Sequence, residues 1–278
     1  MSGTKSLALL NLIMVTFNFT WIILMDNSFF FGNSINTAIG SYPTYLTPAP
    51  ITFKIWSFLS ANMILVAILM FIASRNESEN PRTVLKIQKI GNLLMLNQLF
   101  CGLSMVLKMN NQFILSVICS SACLITILMI NKRIDIHKLV SNSFIRYFIR
   151  LGFGVYTGWM IILMAFNSVI LLAKFELVSS STELFWLNVA VLLITSAYGI
   201  YYTITHYLPA VSAVMAWGIF GILLQNIEHP HFINPDMKPY LYVVLMASIG
   251  ATLYTFYLCN VRRKIQEGIN EEFPPSIS

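Results

Sequence analysis

The side chains best suited to hold a metal, pass a proton or attack a substrate are few here, and they are badly placed for chemistry inside an apolar fold. All eleven acids, Asp26, Glu77, Glu79, Asp135, Glu176, Glu183, Glu228, Asp236, Glu267, Glu271 and Glu272, fall in polar stretches or at the ends of apolar runs. Ion-coupled transport usually needs a charged or titratable group at depth, so it is disfavoured. No His-Glu-x-x-His, paired buried Asp, phosphate-binding glycine loop or Gly-x-Ser-x-Gly elbow occurs, and the chain reads as non-enzymatic. Of the four histidines, His137, His206, His229 and His231, the last two stand beside Glu228 with ligand-like spacing. Pro230 and the loop setting favour a solvated turn, so no metal site is read there. Cys119 and Cys123 share a helix face at i, i+4, which leaves redox or metal chemistry geometrically open, but no His or carboxylate accompanies them. No cofactor is assigned.

What the apolar runs do carry is neutral polarity: Asn62, Asn92, Asn97, Gln98, Asn167, Asn188, Thr195, Ser196, Tyr198 and Gln225. In hydrocarbon each such group needs a partner, so hydrogen bonds between helices are the first expectation, at about 0.5–2 kcal/mol each. Lining a cavity for an amphipathic ligand is the second.

The elements that must position these groups are membrane helices. Hydrophobic residues make up 57% of the 278 and charged residues only 10%, too few charges to solvate a water-soluble surface. The apolar residues come in runs of the ~20 residues a helix needs to cross the hydrocarbon. Such runs favour helix over barrel strand, because each helix satisfies its own amides. The expected fold is therefore all-α, one polytopic transmembrane bundle over 1–278, with spans at 6–25, 52–74, 88–107, 112–131, 152–173, 184–205, 208–227 and 239–260. The first run is too long for a signal-peptide core and lacks a small-residue cleavage site, so it is kept as a permanent helix.

Lys and Arg then sort by loop. Thirteen of the seventeen fall on one side: Lys5, Arg75, Arg82, Lys86, Lys89, Lys132, Arg133, Lys138, Arg146, Arg150, Arg262, Arg263 and Lys264. Lys54, Lys108, Lys174 and Lys238 fall on the other, one per intervening loop. Eight spans with both termini on the positive, inner side satisfy the positive-inside rule, and orientation explains the net charge of +6 without a nucleic-acid partner. The outer segment 26–51, with Phe29, Phe30, Phe31, Tyr42 and Tyr45, is too aromatic for a linker and suits either the membrane interface or a lid folded over the bundle mouth. The inner loop 132–150 intersperses Ile136, Leu139, Phe144, Ile145 and Phe148 among its cations, which suits an amphipathic segment on an anionic leaflet as well as a plain orientation signal. Arg146 and Arg150 are its candidates for meeting lipid phosphates. Residues 261–278 form an inner tail.

Three segments go beyond generic membrane sequence. Leu46-Thr47-Pro48-Ala49-Pro50-Ile51-Thr52-Phe53-Lys54-Ile55-Trp56 leads into the second span; Arg150-Leu151-Gly152-Phe153-Gly154-Val155-Tyr156-Thr157-Gly158-Trp159, with Asn167 eight residues on, opens the fifth; Leu208-Pro209-Ala210 to Trp217-Gly218-Ile219 opens the seventh. In order and spacing they resemble the longer relatives of the tryptophan-rich sensory protein, or TspO-type translocator protein, family. Pro50 stands where those relatives have Gly, and Gly152 where they have Pro. The Pro-to-Trp interval of 48–56 is echoed at 209–217, as an inverted repeat would produce.

The resemblance implies a compact bundle that binds a planar or sterol-like hydrophobic ligand, such as a porphyrin, between its helices. The expected site is an outer-mouth pocket of Phe53, Trp56 and Asn167 under the 26–51 lid, with Trp159 and Trp217 deeper and serving mainly in packing. Expected partners are the bilayer, a hydrophobic small molecule, and other membrane subunits or a second copy. The alternative is a structural accessory subunit of a larger membrane complex such as a mitochondrial respiratory assembly. A mitochondrial inner membrane and a bacterial-type plasma membrane are not distinguished by these residues.

Overall fold

The computed structural model describes residues 3–29, 42–138, 144–175, 180–229 and 236–272. Its helices are α1 (Gly3–Asp26), α2 (Ile55–Arg75), α3 (Pro81–Ile90), α4 (Leu93–Met109), α5 (Phe113–Arg133), α6 (Phe144–Lys174), α7 (Ser181–His206), α8 (Pro209–Glu228) and α9 (Lys238–Glu272), with 3-10 turns at Pro50–Lys54 and Ile136–Lys138. No strand occurs among the described residues. Seven helices are each long and apolar enough to cross a bilayer, and α3 with α4 makes an eighth if counted as one bent span. The chain is thus an integral, multi-pass membrane protein.

The third span departs from the expected straight 88–107. Helix α3 stops at Gly91, whose φ of +54° only glycine adopts freely, and α4 leaves at 53°. Helix α3 is amphipathic instead of apolar: Thr83, Val84, Ile87 and Ile90 are buried, while Arg82, Leu85 and Lys89 are exposed. At 1.5 Å per residue the 17 residues of α4 reach roughly 25 Å, short of the ~30 Å hydrocarbon. A hydropathy window reads straight through a single glycine, which is why the break did not show.

Helix α6 is the axis of the bundle. Its residues Gly152–Leu163 are buried without interruption, and it packs on α2, α5, α7 and α8. Small residues let it approach α8 closely: a Cβ on Gly158 would meet the Val211 carbonyl oxygen at 2.5 Å, and one on Gly154 would meet Ala210 Cβ at 3.1 Å. On another flank, Asn18 donates to Gln98 at 2.8 Å, Gln98 to Asn97 at 3.2 Å, and Asn97 to the Cys123 carbonyl at 2.8 Å and Thr126 at 2.9 Å. Asn97 and Gln98 thus tie helices together, as the sequence led one to expect. Among the described residues Asn188 bonds only its own helix, at Leu184.

Contacts at the two ends confirm the alternation of helix direction. At one end Gln88 bonds Thr4 (2.9 Å), Lys89 pairs with Asp135 (3.2 Å), His137 lies 6.5 Å from His206 between ring centroids, and Arg262 sits over Tyr207 (4.8 Å). This end gathers the basic loops. At the other, Tyr42 meets Phe113, Tyr45 meets Phe185, and Lys174 donates to the Asn111 carbonyl at 2.8 Å. The tight α7–α8 turn exists as expected: Tyr207 takes a left-handed φ of 54°, and its carbonyl accepts from Arg150 and from Cys259 Sγ (3.3 Å).

The loops differ in detail. In 26–51, Phe30 and Phe31 lie outside the described residues, whereas 44–49 is buried. The 132–150 loop is not one amphipathic helix: α5 runs on to Arg133, Ile136 is buried in a short turn, Leu139 lies outside the described residues, and α6 begins at Phe144. The expected tail continues α9 as helix to Glu272. His231 lies outside the described residues, and among those described no cluster of metal-ligating side chains occurs.

Candidate functional site

The stretch 44–54 enters the bundle as irregular backbone that closes in the 3-10 turn at Pro50–Lys54, and its sequence explains how. Thr44 and Thr47 fold it tightly, with the Thr44 amide donating to Thr47 Oγ1 (2.7 Å) and the Thr47 amide to the Thr44 carbonyl (3.1 Å). Pro48 and Pro50 have no amide hydrogen to leave unsatisfied. Between them the Ala49 amide donates to the Gly221 carbonyl of α8 at 2.9 Å. Trp217 Nε1 donates to the Thr52 carbonyl at 3.0 Å, and Asn226 Nδ2 to the Tyr45 carbonyl at 3.1 Å. Irregular backbone is tolerated at depth when protein, not lipid, satisfies it. Gly221 is needed for the fit, since a Cβ there would collide with the Thr52 side chain. Gly221 lies seven residues before the end of α8 at Glu228, so the strap is sunk about 10 Å along that helix at 1.5 Å per residue.

Below the strap three rings meet edge to face. Trp159 lies 5.8 Å from Trp56 and 6.1 Å from Phe53 between centroids, and Phe166 adds a fourth ring 6.2 Å from Trp159. All are buried. Edge-to-face pairs of this kind add about 0.5–1.5 kcal/mol beyond burial. The indole Nε1 of Trp56 and that of Trp159 are both buried without a hydrogen-bond partner among the described residues, as is Thr52 Oγ1. A buried donor left unpaired typically costs about 1–3 kcal/mol, so this is an unusual concentration of unused donors.

Asn167 does not face lipid. It is 2% exposed and its Oδ1 accepts from Lys108 Nζ at 2.6 Å, while its Nδ2 has no partner among the described residues. Lys108 departs from its expected place in an outer loop: it is 3% exposed in the last turn of α4, and Asn167 is its one hydrogen-bond partner among the described residues. Nothing local in the sequence signals that pairing, which spans 59 positions.

The three family-like segments therefore converge. Phe53 and Trp56 are together, as expected, and Asn167 lies one helix step beyond Phe166, turned about 100° toward α4. Trp159 and Trp217 are not a separate deeper layer: the first is packed on Trp56 and the second is bonded to Thr52. The sinking of the strap explains the difference, because it brings the start of α2 down to their level. Of the two arginines expected to meet phosphates, Arg150 instead donates to the Tyr207 carbonyl and to Cys259 Sγ (3.6 Å), closing the α7–α8 turn from within. Arg146 stays at the edge of the bundle, half-buried.

No curated relative and no solved structure matches the chain. The family model described as TSPO-like protein matches residues 8–259, a range that contains all three tryptophan segments and every ring of the cluster. The chain belongs to the TSPO-like protein family.

Proposed function

We propose that the bundle is a non-enzymatic binding protein for a planar or sterol-like hydrophobic ligand, porphyrin-like in size, held against Phe53, Trp56 and Trp159 beneath the 44–54 strap. The observation that carries this reading is the pair of buried indole donors, Trp56 Nε1 and Trp159 Nε1, without acceptors in one aromatic cluster. Binding sites for such ligands combine apolar aromatic walls with a few orienting polar groups, and an acceptor on the ligand satisfies these donors. The Lys108–Asn167 pair, one helix face away, is suited to an acidic substituent. The strap acts as the lid, and its three hydrogen bonds to α8 are what a ligand must loosen.

Porphyrin titration of the purified protein tests this, read by the porphyrin's own absorbance so that removing a tryptophan does not remove the reporter. Trp56→Phe and Trp159→Phe keep the ring and delete the donor; each is expected to weaken binding about tenfold, the equivalent of one hydrogen bond. Unchanged affinity in both variants, or no spectral change with the parent protein, overturns the assignment.

A second reading, an accessory subunit of a larger membrane assembly, is favoured by the aromatic side chains that α7 and α9 turn outward, among them Trp186, Tyr201, Tyr254 and Tyr257. Gentle solubilisation followed by mass measurement separates the two: a defined large complex supports the subunit, a monomer or homodimer the receptor.

We further propose that the basic end faces the inner side, with both termini there. Asn76 carries an Asn-Glu-Ser sequon at the exposed C-terminal end of α2. It is expected to be unglycosylated in the native membrane because of its side, not its burial. A glycan at Asn76, detected as a mobility shift removed by glycosidase, would reverse this topology.

A further inference from the structure

A second site stands at the basic end, away from the aromatic cluster and independent of the reading above. Arg82, Lys86 and Lys89 recur at i, i+4 and i+7, one face of α3. That face meets Asp135, in the turn after α5, and Arg146, from the first turn of α6, around an open notch of about 210 Å³ walled by Leu85 and Ile134. Four cations share it with one acid. Lys89 takes that acid, at 3.2 Å. Arg82, Lys86 and Arg146 have no hydrogen-bond or ion-pair partner among the described residues.

The crowding has a measurable cost. Burial, then the charges of Arg146, Arg82 and Lys89, push the Lys86 ammonium down to about 8, with Asp135 opposing. A fold that holds four cations around a concave space, and leaves three of them unpaired, is matched by an anion. Guanidinium forks on two sides fit the tetrahedral oxygens of phosphate better than a planar carboxylate fits both. Leu85 is 53% exposed beside the cations, offering apolar surface where an acyl chain would leave a headgroup.

We propose that the notch between α3, the Asp135 turn and the start of α6 binds a phosphate group, with Arg82, Lys86 and Arg146 as its ligands. A phospholipid headgroup and a free phosphate share this chemistry. Arg146 thereby keeps the phosphate role that the sequence suggested, while Arg150, turned into the α7–α8 turn, does not.

The full chain is purified and its retained lipid measured by native mass spectrometry after reconstitution with phosphatidylcholine alone or mixed with a bis-phosphate lipid, diphosphatidylglycerol. Inorganic pyrophosphate is titrated in a parallel thermal-shift series. Wild type is expected to retain the bis-phosphate lipid selectively, and Arg82→Gln with Arg146→Gln to lose about tenfold of that retention. Lys132→Gln with Arg133→Gln removes the same charge from exposed positions outside the notch and is expected to retain the lipid. Loss of lipid on adding pyrophosphate, or a thermal shift by pyrophosphate alone, assigns the site to phosphate in general; retention insensitive to pyrophosphate assigns it to the lipid. Should the double arginine variant fail to fold, Lys86→Gln serves, with a several-fold loss expected. Retention in wild type is also expected to fall as pH rises past a midpoint above about 8, as Lys86 deprotonates, and Lys86→Arg to abolish that fall. Equal loss in the notch and control variants, or no preference for the bis-phosphate lipid and no response to pyrophosphate, overturns the proposal.

Discussion

Asn167→Leu is expected to destabilise the protein by about 3–5 kcal/mol, and adding Lys108→Met to recover most of that loss or exceed it. The expectation rests on the Lys108 amine, 3% exposed, which bonds one carbonyl oxygen at 2.6 Å and pairs with no acid among the described residues. Removing the partner of a buried charge leaves its desolvation uncompensated, whereas replacing both members with apolar side chains of similar volume is often neutral or stabilising by about 1–4 kcal/mol. Thermal unfolding in one detergent, for wild type, both single variants and the pair, measures the coupling directly. If the two single effects simply add, the amine and the amide are not interacting and the buried pair has no energetic meaning. The paired variant also removes the polar group proposed to meet an acidic substituent. It should therefore be close to wild type in stability yet bind dicarboxylic porphyrins less tightly than their esters, an ordering that a purely structural role would not produce.

Gly158→Leu is expected to abolish the folded bundle, at a cost of about 3 kcal/mol or more. Even a single Cβ there meets Val211 backbone atoms at 2.5 and 2.9 Å, and backbone, unlike the end of a flexible side chain, has nowhere to go. Overpacking by a few atoms already costs about 1–3 kcal/mol, so four heavy atoms driven between α6 and α8 must part the two helices. Parting them separates the second and third family-like segments. Gly250→Leu is the internal control, because nothing lies within 4 Å of a Cβ at that position. Size-exclusion profile and thermal midpoint report both; a Gly158→Leu protein that elutes and melts like the Gly250→Leu protein would show that the close approach is not required.

The parts of this fold that could be read from the sequence are those in which the bilayer acts as solvent. Hydrocarbon demands long apolar runs and leaves charges in loops, so the spans and the grouping of basic loops at one end could be read without any knowledge of packing. Packing decided the rest. Gly91 broke the third span because one positive φ has no weight in a hydropathy average. Lys108 reads as a loop residue because its neighbours Asn110, Asn111 and Gln112 are polar, and its partner Asn167 comes from α6, 59 positions on. Phe53 and Trp56 were picked from a motif, and the structure places them together. Trp159 and Trp217, expected deeper than Trp56, instead meet Trp56 and Thr52, because the strap sinks below the bundle mouth. Two missing amides are what allow the strap to descend.

That descent carries a consequence for biogenesis. The strap is held by acceptors and donors on α8, at sequence separations of 165 between Trp217 and Thr52 and of 181 between Asn226 and Tyr45. Synthesis runs from the N-terminus, so residues 44–54 enter the membrane before any of Trp217, Gly221 or Asn226 has been made. Until α8 arrives the Ala49 amide and the Tyr45 carbonyl lack the partners that α8 supplies at their final depth, and unsatisfied backbone in hydrocarbon costs several kcal/mol per group. The strap must therefore wait near the headgroups with α2 riding high, then drop inward as α8 docks against α6. Nascent chains stalled before α8 should accordingly leave Thr52 open to a water-soluble thiol reagent through a Thr52→Cys probe, and the completed chain should close it.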